Sequence, residues 1–308
     1  MTTRLYHHPI FVEHLTGSGH PERPDRMKAV AAALEDEAFQ HLDRVEAPEG
    51  TLEAIYRCHP EAFVRKIATA IPDDGLARID GDTIVSPKSF SAAFHAVGAA
   101  MAGVDDVMSG AADNVFVASR PPGHHAESST AMGFCLFNQA AIAARHAQAT
   151  HGLERVAIVD WDVHHGNGSQ EIFWSDPSVL YCSTHQMPLY PGTGAKNETG
   201  IGNIFNAPLS AGDGGPAFRE AFASRILPAL EAFQPDLIII SAGFDAHRRD
   251  PLANLMLEDS DFDQATAELM AIADTYCGGR VVSLLEGGYD LEGLAVSTAA
   301  HVKRLMTG

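Results

Sequence analysis

Short apolar runs alternate with longer alanine-rich stretches along this chain. The apolar runs have the length of buried strands, and they lie at residues 114–119, 155–159, 179–185, 237–245 and 281–285. The stretches at 92–100 and 139–145 are typical of helices that pack on such strands. This alternation predicts an α/β fold in which helices flank an open parallel sheet on both faces.

The length of 308 residues is long for one domain but within the range of α/β domains. No Ser/Gly/Pro-rich linker, internal repeat or low-complexity tract divides the chain. We therefore expect a single domain over residues 1–308.

Asp162 and His164 stand two residues apart just after the apolar run at 155–159. On a strand, residues i and i+2 share a face. Open α/β sheets keep their ligands at the carboxyl ends of the strands. Both side chains are therefore expected to reach one metal ion at that edge of the sheet.

Asp245 ends the apolar run at 237–245 and is the candidate for a third ligand. An Asp-His-Asp set leaves one coordination position open for water or substrate, as catalytic zinc sites do. An Asp at a strand end also commonly caps the next helix. For each element taken alone, that simpler interpretation is favoured.

His124 and His125 follow the apolar run at 114–119 in a loop rich in Pro and Gly. An activated water needs a nearby base whose pKa is close to neutrality, and histidine meets that requirement. Two surface histidines in a turn would give the same sequence pattern.

The last apolar run leads into a loop that contains Gly287, Gly288 and Tyr289. Paired glycines let the backbone approach a ligand closely. The phenol of Tyr289 can donate a hydrogen bond to a developing oxyanion. The alternative is an ordinary half-buried loop aromatic.

Together these segments resemble the histone deacetylase superfamily, and most closely its class II branch and the related bacterial amidohydrolases. The resemblance runs from residues 19–26, Gly-His-Pro-Glu-Arg-Pro-Asp-Arg, to residues 286–291, Glu-Gly-Gly-Tyr-Asp-Leu. It implies an arginase-like fold that hydrolyses an N-acyl amide, typically the acetyl group of an acyl-lysine or a small amide.

The resemblance also implies the role of each site residue. Asp162, His164 and Asp245 would hold one Zn²⁺ per chain, with Fe²⁺ and Co²⁺ left open because a mixed N/O site suits several metals. His125 would be the general base and acid, with His124 as its electrostatic partner. Tyr289 would polarise the substrate carbonyl.

Two polar residues would tune the histidines. Asp160 is expected to accept a hydrogen bond from His124, and Asn167 to contact His125. Class I members usually carry a carboxylate at the second position, so Asn167 points to the class II pattern and to a less basic His125.

Two structural K⁺ ions are implied by the resemblance alone, held mainly by backbone oxygens. The first site would involve Asp160, Asp162, His164, Ser183 and Thr184. The second would involve Phe173, Asp176, Val179 and Asn203.

The substrate channel is assigned in the same way, with Gly133, Phe134 and Tyr190 as its walls and Leu252 as its gatekeeper. Members that select polyamines carry Glu at the gatekeeper position, so Leu252 argues against dedicated polyamine deacetylation. The remaining substrate-binding positions implied are Asp82, Thr83, Arg26, Gly287 and Gly288.

The net charge of −19, from 40 acidic and 21 basic residues, argues against nucleic-acid binding. Cationic substrates are electrostatically easier partners, although a solvated acidic surface explains the charge equally well. The four cysteines form no Cys-x-x-Cys pair, which favours buried thiols in a reducing compartment. With no membrane-spanning run, we expect a cytoplasmic protein. A homo-oligomer is compatible with the sequence.

Two other functions fit parts of the pattern. A two-metal ureohydrolase of the arginase type would use the Asp-x-His spacing of Asp245 and His247, but Gly166 stands where a further carboxylate would be needed. A non-catalytic acyl-ligand binding protein would keep the fold without turnover.

Overall fold

Eight parallel strands form the central sheet of the computed structural model, which describes all 308 residues. Two further short strands, β3 and β4, pair antiparallel outside it. The strands are β1 (Thr3–His7), β2 (Asp43–Glu46), β3 (Ala77–Arg78), β4 (Ile84–Val85), β5 (Asn114–Val117), β6 (Val156–Asp160), β7 (Val179–Gln186), β8 (Ile204–Leu209), β9 (Leu237–Ala242) and β10 (Val281–Leu285). The order across the large sheet is β2-β1-β5-β10-β9-β6-β7-β8.

The five strands at the centre of the sheet, from β5 to β7 in that order, are buried along their whole length. This explains why their sequences are nearly continuous apolar runs, since strands of a parallel sheet are covered on both faces. The apolar residues of these strands belong to one hydrophobic cluster of 81 buried residues.

Eleven α-helices connect and flank the strands, and one 3₁₀ turn and one π-helical segment add to them. The α-helices are α1 (Ile10–Glu13), α2 (Asp25–Ala33), α3 (Leu52–Tyr56), α4 (Glu61–Ala70), α5 (Ser89–Ser109), α6 (Gln139–His151), α7 (Asn167–Phe173), α8 (Gly215–Ala221), α9 (Leu227–Phe233), α10 (Asp259–Tyr276) and α11 (Leu291–Thr307). The 3₁₀ turn is Glu37–Phe39, and the π-helical segment Phe222–Ile226 joins α8 to α9.

The ends of α6 show how local sequence sets these boundaries. The side chain of Asn138 accepts a hydrogen bond from the N–H of Ala141 and caps the first turn. At the other end, Gly152 adopts the left-handed conformation that closes many helices.

The strand order brings the candidate motifs to one edge of the sheet. Strands β5, β10, β9 and β6 are direct neighbours, and all of them run in the same direction. Their carboxyl ends therefore meet at one edge, and the four motif loops at 120–126, 286–290, 243–245 and 161–167 leave from that edge.

The predicted α/β architecture of a parallel sheet flanked by helices is confirmed. All four cysteine thiols are free and buried. None of the helices combines the length and the hydropathy that a membrane span requires.

Candidate metal centre and active site

Asp162, His164 and Asp245 lie in the loops that leave β6 and β9. Strand β6 ends at Asp160, so Asp162 and His164 are not on the strand, and the argument from alternating strand faces was wrong about them. The loop brings them together through backbone contacts instead. The N–H of His164 donates to Asp162 Oδ1 at 2.9 Å, and the N–H of Val163 donates to Asp245 Oδ1 at 2.8 Å.

The three side chains converge on one point. His164 Nδ1 lies 3.0 Å from Asp245 Oδ2 and 3.3 Å from Asp162 Oδ1. One ligand atom from each residue lies within 4.8 Å of the others, and all three residues are buried. Two carboxylates and an imidazole with this spacing form a donor set that suits Zn²⁺ and similar divalent ions.

The electrostatics of this cluster favour a bound cation. Burial, together with the charge of Asp162, raises the pKa of Asp245 to about 7. Burial disfavours the charged form of His164, yet its hydrogen bonds with the two carboxylates raise its pKa to about 10. Both shifts show that two carboxylates buried side by side need positive charge next to them.

Two glycines allow the backbone to approach the carboxylates. The N–H of Gly287 donates to Asp162 Oδ2 at 2.8 Å. A Cβ atom on Gly287 would overlap the carboxylate of Asp245, and one on Gly243 would overlap that of Asp162. Only glycine leaves room for the donor set at these two positions.

His124 and His125 stand beside the donor set with their ring centroids 4.0 Å apart. His124 Nδ1 lies 3.0 Å from Asp160 Oδ2, as predicted, and its Nε2 lies 3.8 Å from Asp162 Oδ1. His125 Nδ1 lies 2.8 Å from Asn167 Oδ1, which is the other predicted contact. The structure therefore brings both histidines together with Asp160 and Asn167, the two residues predicted to tune them.

The two histidines have opposite pKa shifts. Burial disfavours the charged form of His124, but the carboxylates of Asp162 and Asp160 raise its pKa well above the usual value. Burial and the charge of His124 hold the pKa of His125 well below the usual value. The pair therefore combines a charged imidazolium with a neutral imidazole.

Asn167 fixes which nitrogen of His125 carries the proton. Its Nδ2 donates to Glu127 Oε1 at 2.9 Å, so its Oδ1 is the atom that faces His125. An amide oxygen accepts a hydrogen bond, which requires the proton of neutral His125 to be on Nδ1. The lone pair of Nε2 is then free to take a proton.

Tyr289 follows β10 and is buried, with 8% of its surface exposed. Burial and the nearby charge of Asp245 raise its pKa well above the usual value, so its hydroxyl keeps its proton and remains a donor. The N–H of Tyr289 donates to Asp250 Oδ2 at 2.7 Å. Asp250 is thus a positioning residue that the sequence reasoning did not identify as such.

Arg26 contacts the loop that carries Tyr289. Its Nε donates to the carbonyl of Gly288 at 2.7 Å, and its guanidinium carbon lies 5.0 Å from the centre of the Tyr289 ring. Arg26 is fully buried, and its Nη1 and Nη2 donate to Glu22 and to the carbonyl of Glu286. A direct role of Arg26 in substrate binding stays a prediction. Its contacts in this structure hold the loop that carries Tyr289.

Glu22 joins Arg26 to Arg120 in a buried ionic cluster. Glu22 accepts hydrogen bonds from Arg26 Nη1 at 3.1 Å and from Arg120 Nη2 at 2.6 Å, with a further close contact from Arg120 Nε. The side chains of all three residues are fully buried. In the sequence, Glu22 and Arg26 belong to one motif and Arg120 to another, with no sign that the three side chains meet.

Two aromatic side chains border the histidines and Tyr289. The ring of Phe134 lies edge-on to Tyr289 with centroids 5.8 Å apart, and Tyr190 lies edge-on to His125 at 5.2 Å. Tyr190 is 39% exposed. Gly133 has a positive φ of 55°, and a Cβ there would overlap the ring of His125.

The predicted rim residues differ in accessibility. Thr83 is buried and its hydroxyl accepts a hydrogen bond from the N–H of Phe134 at 3.1 Å, so it positions Phe134. Asp82 is half-buried, and its carbonyl contacts His20 Nε2 at 3.0 Å. Leu252 is half-buried, and its N–H donates to Asp250 Oδ1 at 2.9 Å.

Of the residues predicted for the first K⁺ site, Asp160 lies on β6 and Ser183 and Thr184 lie on the neighbouring strand β7, whereas Asp162 and His164 lie in the loop after β6. Asp160 on β6 pairs in register with Ser183 on β7 and with Ser241 on β9. The hydroxyl oxygens of Thr184 and Ser241 are buried without a hydrogen-bond partner. Ser183 Oγ instead contacts His185 Nδ1 at 2.8 Å. Unpartnered buried oxygens are compatible with a cation here.

The residues predicted for the second K⁺ site surround an amide group. The carbonyl oxygens of Phe173, Asp176 and Val179 each lie 2.9 Å from Nδ2 of Asn203. The side-chain amide of Asn203 therefore donates to the carbonyls that were expected to face an ion. The second K⁺ site stays a prediction.

Glu286 is a further buried residue that sequence reasoning passed over. Its Oε2 accepts the N–H groups of Gly123 and His124 at 2.7 and 3.2 Å, which fixes the start of the histidine loop. Burial raises the pKa of Glu286 to about 7. A glutamate directly before Gly287 and Gly288 was the only available signal.

Comparisons with known proteins agree with this geometry. The profile of the histone deacetylase domain matches residues 20–305. The chain is 41% identical to histone deacetylase 14, chloroplastic, of Arabidopsis thaliana, over 93% of this chain and 73% of that protein. It is 39% identical to the histone deacetylase-like amidohydrolase of Pseudomonas aeruginosa, over 91% of this chain and 75% of that protein.

The structural comparison extends the same likeness to the whole fold. The crystal structure of the HDA15 HD domain superposes with a TM-score of 0.94 at 38% identity, covering 99% of this chain and 88% of that one. The domain match spans nearly the full length of the chain, and the identities lie well above those of chance similarity. This protein therefore belongs to the histone deacetylase family.

Proposed function

We propose that this histone deacetylase-family hydrolase is a metal-dependent amidohydrolase that removes an acetyl group from a primary amine, such as an acyl-lysine side chain. The observation that supports this proposal most strongly is that two histidines and a tyrosine lie beside the three-residue donor set. The donor set is Asp162, His164 and Asp245, and the residues beside it are His124, His125 and Tyr289. Water enters the reaction, and the products are a carboxylic acid and the free amine.

The donor set fits a divalent metal, with Zn²⁺ as the expected ion. A metal bound by Asp162, His164 and Asp245 would act as a Lewis acid that polarises the substrate carbonyl and makes a bound water more acidic. The raised pKa values of Asp245 and His164 support this assignment, because they reflect two carboxylates buried side by side that are stabilised by positive charge.

His125 moves the proton in the proposed reaction. Its Nδ1 proton is committed to Asn167 Oδ1, so Nε2 is the atom that takes a proton from the attacking water. The same atom then delivers that proton to the nitrogen of the leaving amine. His124 stays charged because Asp160 and Asp162 flank it, and it stabilises negative charge that develops beside it.

Tyr289 donates its hydroxyl proton in a hydrogen bond to the carbonyl oxygen of the substrate. Its position depends on the buried supports of its loop, which are Asp250 at its own N–H and Arg26 at the carbonyl of Gly288. Preorganised donors of this kind are among the larger contributions to catalysis, because they need no reorganisation during the reaction.

Phe134 and Tyr190 are proposed to flank the aliphatic stem of the substrate. A half-buried Leu252 near the entrance cannot attract a second ammonium group, which favours acyl-lysine or a small amide over an acetylpolyamine. The net charge of −19 also favours cationic substrates over nucleic acids.

The test measures acetate release from an acetyl-lysine reporter peptide. Tyr289→Phe removes one oxyanion donor, for which a loss of about 10²–10³ in kcat is expected. The matched control is Tyr56→Phe, at an exposed tyrosine on α3, which should leave kcat unchanged. Equal activity of the two variants would contradict the proposed role of Tyr289.

The same preparation separates this function from the alternatives. Release of urea from a guanidine substrate, with two metal ions at the Asp162 centre, would indicate a ureohydrolase. A correctly folded protein that binds acylated peptide but releases no acetate would indicate a binding protein. Faster turnover of acetylpolyamines than of acetyl-lysine peptides would overturn the inference from Leu252.

A further inference from the structure

A second group of metal-ligand side chains lies where α5 packs against α6. Asp105 is near the carboxyl end of α5, and His146 and His151 are in the last turns of α6. Both helices lead into strands, β5 and β6, whose first residues follow within a few positions. The group therefore lies toward the edge of the sheet where strands begin, opposite the edge that carries the active site.

Both imidazoles point at the same oxygen. His146 Nε2 and His151 Nε2 each lie 2.7 Å from Asp105 Oδ1, and the ring centroids are 5.9 Å apart. The three ligand atoms lie within 4.8 Å of one another. Ligand atoms in a tetrahedral zinc site are roughly 3.3 Å apart, so each N···O contact would widen by about half an ångström to admit the ion.

Thr150 can form a hydrogen bond with His146 whether or not a metal ion is bound. Its Oγ1 lies 3.2 Å from His146 Nδ1. When Nε2 carries the proton and donates to Asp105, the hydroxyl donates to Nδ1. When Nε2 binds a metal, Nδ1 carries the proton and the hydroxyl accepts it, which is the support that metal-bound histidines commonly have.

The group has one closed side and one open side. The side chain of His146 is 8% exposed, that of His151 is 23% exposed and that of Asp105 is 51% exposed. An ion could thus enter from solvent, and water would complete its coordination. Two imidazoles with a single carboxylate favour Zn²⁺, Ni²⁺ or Co²⁺ over Mg²⁺ or Ca²⁺, which prefer oxygen ligands.

We propose that Asp105, His146 and His151 form a second metal site, which takes a divalent transition metal and ties α5 to α6 without a part in hydrolysis. The competing explanation is that one carboxylate oxygen accepts two ordinary hydrogen bonds. The two differ in whether the three side chains bind metal when the active-site centre is already filled.

The experiment is equilibrium dialysis of the full chain against Zn²⁺, followed by elemental analysis. Wild type should retain about one equivalent more per chain than His151→Asn, which keeps the active-site donor set intact. The matched control is His41→Asn, at an exposed histidine outside both sites, which should bind as much metal as wild type. Equal binding by His151→Asn and wild type would overturn the proposal.

A second readout protects the test against a folding defect in one variant. In protein whose active-site centre is already filled with one equivalent of Zn²⁺, further Zn²⁺ should raise the Tm of wild type and of His41→Asn but not that of Asp105→Asn. The Asn retains an oxygen that accepts a hydrogen bond and loses the charge. All these variants should keep the rate of acetate release of the wild type. A rise in the Tm of Asp105→Asn beyond the first equivalent of Zn²⁺, equal to that of wild type, would also count against the proposal, whatever the outcome for the proposed hydrolysis.

Discussion

Replacing Glu22 with Gln removes the carboxylate that two fully buried guanidinium groups share. Arg120 and Arg26 both pair with Glu22, and none of the three side chains is exposed to solvent. Removing one partner from a buried ion pair costs about 3–5 kcal/mol, because the remaining charge is left uncompensated. The Gln amide can still accept one hydrogen bond, which places the expected cost in the lower half of that range.

The expected change in Tm follows from this cost and from the unfolding entropy, which depends on the length of the chain. At about 2.1 cal/mol/K per residue, unfolding of 308 residues has an entropy of about 0.65 kcal/mol/K. A loss of about 3–4 kcal/mol then lowers the Tm by about 5–6 °C. The matched control is Glu61→Gln, which breaks an exposed i,i+4 pair with Arg65 and should lower the Tm by less than about 1 °C.

The pH dependence gives an independent check on the mechanism. Burial alone would raise the pKa of Glu22, but the charge of Arg120 and the hydrogen bonds of its partners hold it well below 4.5. The stabilisation by Glu22 is therefore fully present above pH 4.5, the unfolded-state value, and is lost as the pH falls toward the folded-state pKa.

Urea unfolding of wild type and Glu22→Gln between pH 7 and pH 3.5 measures this effect. The difference in unfolding free energy should be constant from pH 7 to pH 5, and should shrink by about 1.4 kcal/mol per pH unit below about pH 4.5. A Tm loss no larger than that of Glu61→Gln would refute the reasoning. So would a deficit that stays the same at pH 3.5.

Three further predictions concern the site and its surroundings. Gly287→Ala places a Cβ against the carboxylate of Asp245 and should lower kcat/KM by about 10²-fold, whereas Gly81→Ala, in open space, should not change it. Asn167→Asp puts a carboxylate beside His125 and should raise its pKa, so the acidic limb of the kcat/KM profile should move to higher pH; an unmoved limb contradicts this. Asn203→Asp places a carboxylate among three carbonyl oxygens, which should strengthen K⁺ binding there. The Tm of this variant should therefore rise more steeply with K⁺ concentration than that of wild type. An equal rise in both proteins would count against the second K⁺ site.

Much of the fold could be predicted because parallel strands leave a local signature. The runs that became β5, β6, β9 and β10 are continuous and apolar, since each strand is covered on both faces. Their motifs could be assigned to one edge because parallel strands end together. The sequence did not show that β6 stops at Asp160, because residues 160–164 alternate between polar and apolar side chains as a strand does.

The supports of the site could not be predicted, because they join residues far apart in the chain. Glu22 meets Arg120, Glu286 meets the N–H of Gly123, and Asp250 meets the N–H of Tyr289. Each contact depends on the packing of the whole sheet and has no periodicity that a local reading detects. Backbone acceptors, such as the carbonyls that surround Asn203, leave still less trace in the sequence.

Metal-dependent acetate release is the measurement that tests the central claim most directly. The metal is removed with a chelator, and activity on the acetyl-lysine reporter is followed as Zn²⁺ is returned to wild type, Asp245→Asn and His151→Asn. Activity of wild type and His151→Asn should vanish with the metal and return with the first equivalent bound at Asp162, His164 and Asp245, while Asp245→Asn stays inactive. Full activity in the metal-free protein, or undiminished activity of Asp245→Asn, would contradict the account.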